Sequence, residues 1–286
     1  MNIFERRRIG LESKVMASIG AVIVLMPAQL TYGQGDSGFL RGKGNLDVAA
    51  TYAYETYDEF WIGSDTVDDA PFGRVTRQSV NAYGAYGLRD DMDIALSGSW
   101  IFVSTDEIFD DVDALQDLTA QLKWRGISKE FGPGKLNLLA APAVKIPMTH
   151  YEDNNVPAVG DGNVDLRLRG IAQYVFDNGA FIALDTGYDI RFDDPHDEVP
   201  IHVTAGMTFF EKLTVMGFYT HIESLGGHDI GEGSFPGVEE EYDRIGGGVY
   251  YRLTESWGVT ANGWTTLDGK NTGDVDGFSI GMVYRF

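Results

Sequence analysis

The chain has 286 residues, no cysteine, 36 glycines, 14 tyrosines, 16 phenylalanines and a net charge of −21. Without cysteine it has no disulfide, no thiol chemistry and no site for an N-terminal lipid anchor. So acidic a chain lacks the clustered Lys and Arg that nucleic acid requires, and no nucleic-acid partner is expected.

At the N-terminus, Arg6, Arg7, Arg8 and Lys14 precede an apolar run from Val15 to Met26. Pro27 and a small-residue site around Thr31-Tyr32-Gly33 follow. This order is that of a secretory signal peptide. The run is about a dozen residues, short of the roughly 20 a spanning helix needs. The expectation is a cleavable signal peptide over 1–33 and one domain over 34–286, with a buried helix or uncleaved anchor as the alternative. Cleavage removes four basic and two acidic residues, taking the net charge from −21 to −23. No later segment could span as a helix, so any crossing of a membrane is by a closed barrel.

Twelve alternating segments follow, at 44–57, 75–89, 92–104, 114–128, 135–148, 163–176, 180–192, 199–210, 212–223, 242–253, 256–267 and 275–286. Each is long enough for the roughly 9–11 residues of a tilted transmembrane strand. Short connectors, such as Phe131-Gly132-Pro133-Gly134 and Asp177-Asn178-Gly179, carry turn chemistry. They alternate with longer ones at 58–74, 105–113, 149–162, 193–198, 224–241 and 268–274. The pattern predicts an all-β fold: an up-and-down antiparallel transmembrane β-barrel of about 12 strands, with short turns at one end and long loops at the other. In the last segment Phe278, Ile280, Met282, Tyr284 and Phe286 share one face. This resembles the terminal strand of Gram-negative outer-membrane β-barrels. The resemblance implies the cell outer membrane as location, outer-membrane lipid and lipopolysaccharide as surroundings, and the barrel-assembly machinery as a partner recognising the strand that ends in Phe286.

The faces separate by side-chain type. In the fourth segment Leu118, Ala120, Leu122 and Trp124 oppose Asp117, Thr119, Gln121, Lys123 and Arg125. In the sixth, Val164, Leu166 and Leu168 oppose Asp165, Arg167 and Arg169. A basic charge on the lipid face near the midplane costs about 2–4 kcal/mol, so the charged faces point inward. The expected lumen lining comprises Arg89, Lys123, Arg125, Lys145, Arg167, Arg169, Arg244 and Arg252, with Asp117, Asp165 and Asp185 among the acids. Arg77, Arg191, Arg285, Asp47, Glu55, Asp93 and Asp189 follow the same parity. Basic groups outnumber acidic ones in that set, and much of the remaining acid falls in loops. Two segments, 212–223 and 256–267, alternate too weakly to assign faces. The interior has two readings: a conduit with basic walls for small, anionic or polar solutes, or a network of ion pairs that closes it.

Val159-Gly160-Asp161-Gly162-Asn163-Val164-Asp165-Leu166-Arg167, leading to Tyr174-Val175-Phe176, is similar to a strand opening of outer-membrane transporters labelled as belonging to the MetA pathway of phenol degradation. Gly42-Lys43-Gly44-Asn45 before the first strand looks similar too. The resemblance implies a barrel that moves small, often apolar molecules. It carries no binding residue across.

Other chemistry has weaker marks. Asp111-Val112-Asp113 and Asp194-Pro195-His196 have the Asp-X-Asp and Asp-X-His spacing of omptin-type outer-membrane proteases, which makes a loop hydrolase the alternative function. A closed structural or adhesive barrel is the third. Asp161, Asn163 and Asp165 alternate as calcium ligands do, although the glycine is misplaced for an EF-hand. Gly246-Gly247-Gly248 has no following helix to make a phosphate loop and reads as close packing in the wall. No catalytic residue, metal ligand set or cofactor is assigned.

Overall fold

The computed structural model describes residues 36–68, 73–106, 110–150, 159–160 and 162–286. The expected signal peptide lies outside them. The strands are β1 (Leu46–Tyr57), β2 (Phe60–Ile62), β3 (Asp65–Val67), β4 (Val75–Arg89), β5 (Met92–Thr105), β6 (Val112–Glu130) and β7 (Gly134–Pro147). They continue with β8 (Asp165–Phe176), β9 (Ala180–Arg191), β10 (Glu198–Phe209), β11 (Leu213–Ser224), β12 (Glu241–Arg252), β13 (Trp257–Lys270) and β14 (Asp276–Arg285). β2 and β3 form a small hairpin of their own. The other twelve are antiparallel neighbours in sequence order, and β1 pairs with β14 to close the wall. The seam register runs from Asp47 opposite Arg285 to Thr56 opposite Asp276. Closure leaves no sheet edge, as a barrel in lipid requires.

The alternation is inverted relative to a soluble protein. Val80, Leu96, Leu168, Ile182, Ile280 and Met282 are exposed, while Asp93, Lys123, Lys145, Asp165, Asp185 and Arg244 are buried. Greasy side chains therefore face lipid and ionic ones are enclosed. Aromatics gather on the outer face toward the strand ends. Trp257, Tyr284 and Phe286 stack edge to face in succession at one end, and Trp100 with Phe102, and Tyr54 with Phe278, lie toward the other. These are interfacial girdles.

β11 and β13 show why their parity was unreadable. Their enclosed faces carry Met216, Phe218 and Ile222, and Trp264, beside Thr214, Thr220, Thr260 and Asn262. Apolar groups on both faces erase the alternation. These rings lie against glycines of adjacent strands. A Cβ on Gly246 would fall 2.2 Å from Phe218 Cζ, and one on Gly277 would fall 2.3 Å from Trp264 Cε2. Gly246 is thus close packing in the wall, and so is Gly248, whose Cβ would meet Asn262 Oδ1 at 2.0 Å.

Strand limits fall within three residues of the expected ones. The expected 268–274 loop shrinks, because β13 continues to Lys270. There Asn271 adopts a left-handed backbone (φ 52°). Its side chain accepts from the Gly63 and Ile230 amides and donates to Asp229 and the Glu239 carbonyl, tying three loops together.

Candidate functional site in the lumen

The largest departure from the sequence reading is the segment before β1. Asp36 to Arg41 runs inside the barrel. The Asp36 amide donates to Asp185 Oδ2 on β9 at 2.8 Å, and the Arg41 amide donates to Asp93 Oδ2 on β5 at 2.8 Å. Lys123 on β6, 2% exposed, donates to Asp36 Oδ1 (2.9 Å), the Ser37 carbonyl (2.5 Å) and the Phe39 carbonyl (3.3 Å). Phe39 packs edge-on to Phe181 at 5.3 Å. Leu40 joins Leu139, Ala141 and Ile171 in a buried cluster. Arg41 pairs with Asp47 at 2.7 Å, and Asp47 also takes both nitrogens of the Arg285 fork at 2.8 Å. One extended stretch thus rests on the enclosed faces of six strands from β5 to β9 and β1. The segment enters through Gly42-Lys43-Gly44-Asn45, with Gly42 and Gly44 at positive φ and Gly44 and Asn45 bonded to Gly87 of β4. One sign of it stands in the residues themselves: two charges, Asp36 and Arg41, flank Gly38-Phe39-Leu40. Without periodicity or an element of its own, the stretch left no pattern to read.

Beyond this segment one wall carries an ionic ladder. Arg169 grips Asp189 with its fork (Nε to Oδ1 2.8 Å, Nη2 to Oδ2 2.5 Å) and lies 3.9 Å from Asp185. Arg167 reaches Asp165 at 3.4 Å and Asp189 at 3.8 Å. Lys145 binds Asp165 at 2.8 Å, Asp117 at 3.5 Å and Asn163 Oδ1 at 3.4 Å. Arg191 pairs with Glu198 and lies 4.0 Å from Asp165. Every basic group of this ladder has an acidic neighbour, because removing a charge from water costs several kcal/mol unless it is paired. Glu198, which is not among the residues expected to line the lumen, supplies one of those partners, as Asp36 does for Lys123. The basic charges along this wall are therefore paired. Asn163 and Asp165 spend their oxygens on Lys145, Arg167 and each other. Asp161, the remaining member of the alternating triplet, lies outside the described residues.

The remaining expected positions fall elsewhere. Arg89 pairs with Asp91 at 2.8 Å, its side chain 62% exposed. Arg125 donates to the Asp90 carbonyl at 2.9 Å in an exposed setting. Arg252 ends β12, half-buried, its amide bonded to the Lys212 carbonyl. All three sit at the short-turn end.

The opposite wall carries aromatic groups among fewer charges. Registers place Arg77, Glu55, Gly277, Trp264, Gly246, Phe218 and Thr204 in one transverse row across β4, β1, β14, β13, β12, β11 and β10. Trp264 crosses Gly277 and donates from Nε1 to Glu55 Oε1 at 3.1 Å. In a neighbouring row Asp185, His202, Thr220, Arg244 and Thr266 follow one another, with His202 Nδ1 3.0 Å from Thr220 Oγ1.

The hydrolase constellation is distributed differently. Asp113 accepts from Trp100 Nε1 on the outer face at 3.1 Å. The His196 ring lies where a Cβ on Gly226 would meet it at 3.0 Å. The first lies at the start of β6, opposite Phe102 of β5, and the second sits between β9 and β10, with β7 and β8 intervening. Among the described residues no group of three His, Asp or Glu could hold a metal ion.

The family model described as "Putative MetA-pathway of phenol degradation" matches residues 31–282. No curated protein matches the sequence. Among solved structures, the COG4313 outer membrane channel from Pseudomonas putida F1 has a TM-score of 0.73 at 12% identity, covering 91% of this chain and 100% of that one. The translocator domain of the autotransporter NalP from Neisseria meningitidis has a TM-score of 0.49 at 10% identity, covering 98% and 96%. At 12% identity the likeness to the COG4313 channel is one of fold.

Proposed function

The chain belongs to the family described as "Putative MetA-pathway of phenol degradation", is an outer-membrane β-barrel, and from that membership we propose that it is a channel for small solutes whose passage is governed by the segment Asp36–Arg41. The observation that carries this reading is the seating of that segment by Lys123 inside a closed wall with an enclosed polar face. A lumen wide enough to hold a peptide strand is wide enough for a small molecule once the strand moves. Twelve strands fall between the filled eight-stranded barrels and the open sixteen-stranded porins, so an inserted segment decides whether the interior is open. Lys145, Arg167, Arg169 and Arg244, with Asp117, Asp165 and Asp185, line the route. On this reading the partners are the solute within, outer-membrane lipid and lipopolysaccharide outside, and the assembly machinery at the Phe286 strand. Asp111, Asp113, Asp194 and His196 have no catalytic role.

The test is planar-bilayer recording of the purified barrel. The wild type conducts in small, infrequent steps. Lys123→Gln, which removes the ammonium from Asp36 and two carbonyls, raises mean conductance several-fold. Equal conductance in the two proteins, or none in either, rejects the reading.

A further inference from the structure

We infer that Arg244 is the anion anchor of a binding site for single-ring aromatic carboxylates on the lumen wall. The inference deepens the solute-channel reading and rests on it.

Its basis is a comparison of forks. The Nε–Nη2 edge of Arg169 is filled by Asp189, and the same edge of Arg285 is filled by Asp47, each carboxylate taking both nitrogens. This is the planar bidentate geometry that guanidinium offers to carboxylate. Arg244 is more enclosed than either, its side chain 7% exposed, yet its fork is empty. Nε is buried with no hydrogen-bond partner. Nη1 lies 3.7 Å from Glu55 Oε1, near enough for attraction and too far for a hydrogen bond. Glu55 is itself taken by Trp264 Nε1 at 3.1 Å. Arg167 also has a buried Nε without a hydrogen bond, but its Nη2 donates to Asp165 at 3.4 Å. Buried donors are ordinarily satisfied, so a buried guanidinium held by no hydrogen bond marks a place for an incoming acceptor.

The surroundings hold the guanidinium in place and specify the rest of the ligand. It lies over the Tyr242 ring, 4.7 Å from the centroid, which fixes its plane. It also stands at an irregularity of the β12–β13 pairing. Asp243 opposes Asp268 and Arg244 opposes Thr266, leaving Leu267 without a partner. Such bulges re-aim a side chain. Two residues along the same face of β12, about 6.8 Å away, is Gly246, covered by Phe218 and flanked by Trp264. An acid head on Arg244 therefore places an attached ring beside Phe218 and Trp264. A bare carboxylate leaves the ring surface unused, and a neutral ring leaves the fork empty.

Equilibrium dialysis of labelled benzoate into nanodiscs carrying the full barrel, with empty nanodiscs subtracted, tests this without requiring conduction. Benzoate binds the wild type at least tenfold more tightly than phenol or acetate. Arg244→Met lowers benzoate affinity at least tenfold and leaves phenol unchanged, with folding checked by heat-modifiable migration. Arg244→Lys keeps the charge but not the fork, and recovers only part of the affinity. Equal binding of benzoate and phenol by the wild type, undiminished binding by Arg244→Met, or no benzoate binding at all overturns the inference. The ligand comparison in the wild type needs no variant to fold. Because conductance is measured separately, a failed benzoate site and a failed channel reading are told apart.

Discussion

Gly38 and Gln173 meet inside the barrel: a Cβ built on Gly38 would stand 2.8 Å from Gln173 Cβ. One belongs to the stretch before β1 and the other to the enclosed face of β8. Only glycine lets the backbone lie that close to the wall. In a chain with no cysteine, the pair of substitutions Gly38→Cys and Gln173→Cys introduces a single possible bridge. The preferred Cβ separation in a disulfide is about 3.8 Å, so the segment shifts by about 1 Å to form it. The oxidised double variant is expected to hold the barrel in its low-conducting state even when combined with Lys123→Gln. Addition of a reductant then restores the higher conductance. Bilayer recordings before and after reduction check this.

Phe218 and Gly246 form a ring-on-glycine contact in the lumen wall. Gly246→Ala places a methyl group 2.2 Å from Phe218 Cζ, and relief requires the ring to leave its position. Overpacking of this kind costs about 1–3 kcal/mol. The urea midpoint of unfolding from lipid vesicles should fall accordingly. Phe218→Leu in the same chain should recover part of the loss, since the two residues share one contact.

The turn between β10 and β11 holds Phe210 at φ 51° and Glu211 at φ 55°. A left-handed backbone costs a residue with a Cβ roughly 1–2 kcal/mol. Glu211→Gly removes that strain and is expected to raise stability by about 1 kcal/mol, offset in part by the greater freedom of glycine in the unfolded chain. The turn needs no change in length. A higher urea midpoint for the variant is the readout.

Asp197, in the loop between β9 and β10, accepts from the Tyr188 hydroxyl and from the Arg191 amide. Those bonds favour the carboxylate and hold its pKa below the ordinary value, the tyrosine bond being the larger cause. A depressed folded-state pKa contributes stability that is fully present above the unfolded value. That stability is lost as pH falls through the folded one. The loop should therefore remain fastened at neutral pH and loosen only in acid below the usual aspartate range. The Arg191 amide resonance, followed by NMR during acidification, should shift in that window. In Asp197→Ala the shift should be absent.

Leu168 faces lipid on β8, opposite Pro142 of β7. Replacing it with arginine sets a charge against acyl chains, at a cost of about 2–4 kcal/mol near the midplane. Gln173→Arg, on the enclosed face of the same strand, lies opposite Asn137 and beside Gly38, away from acyl chains, at the smaller cost of displacing the inserted segment. A lower unfolding midpoint for Leu168→Arg than for Gln173→Arg is the expected ordering.

The sequence alone determined the barrel and its polarity. Alternation of period two over twelve segments fixed the strands to within a few residues, and the glycine turns fixed their direction. Charge assigned the faces of the strands around Lys123, Arg167 and Arg169, because hydrocarbon tolerates no unpaired ion. That constraint acts on one side of the wall only. Inside, nothing forbids an apolar group, so Phe218 and Trp264 could turn inward and blur the pattern. Only the tertiary structure decided what each enclosed charge meets: that Lys123 is taken by the chain's own Asp36, that Asp189 fills the Arg169 fork, and that Arg244 is left with an empty one. Those pairings join residues far apart in the chain, and strand curvature, stagger and the course of an unpatterned segment bring them together. Local periodicity records which way a side chain points. It holds no record of what stands across the lumen.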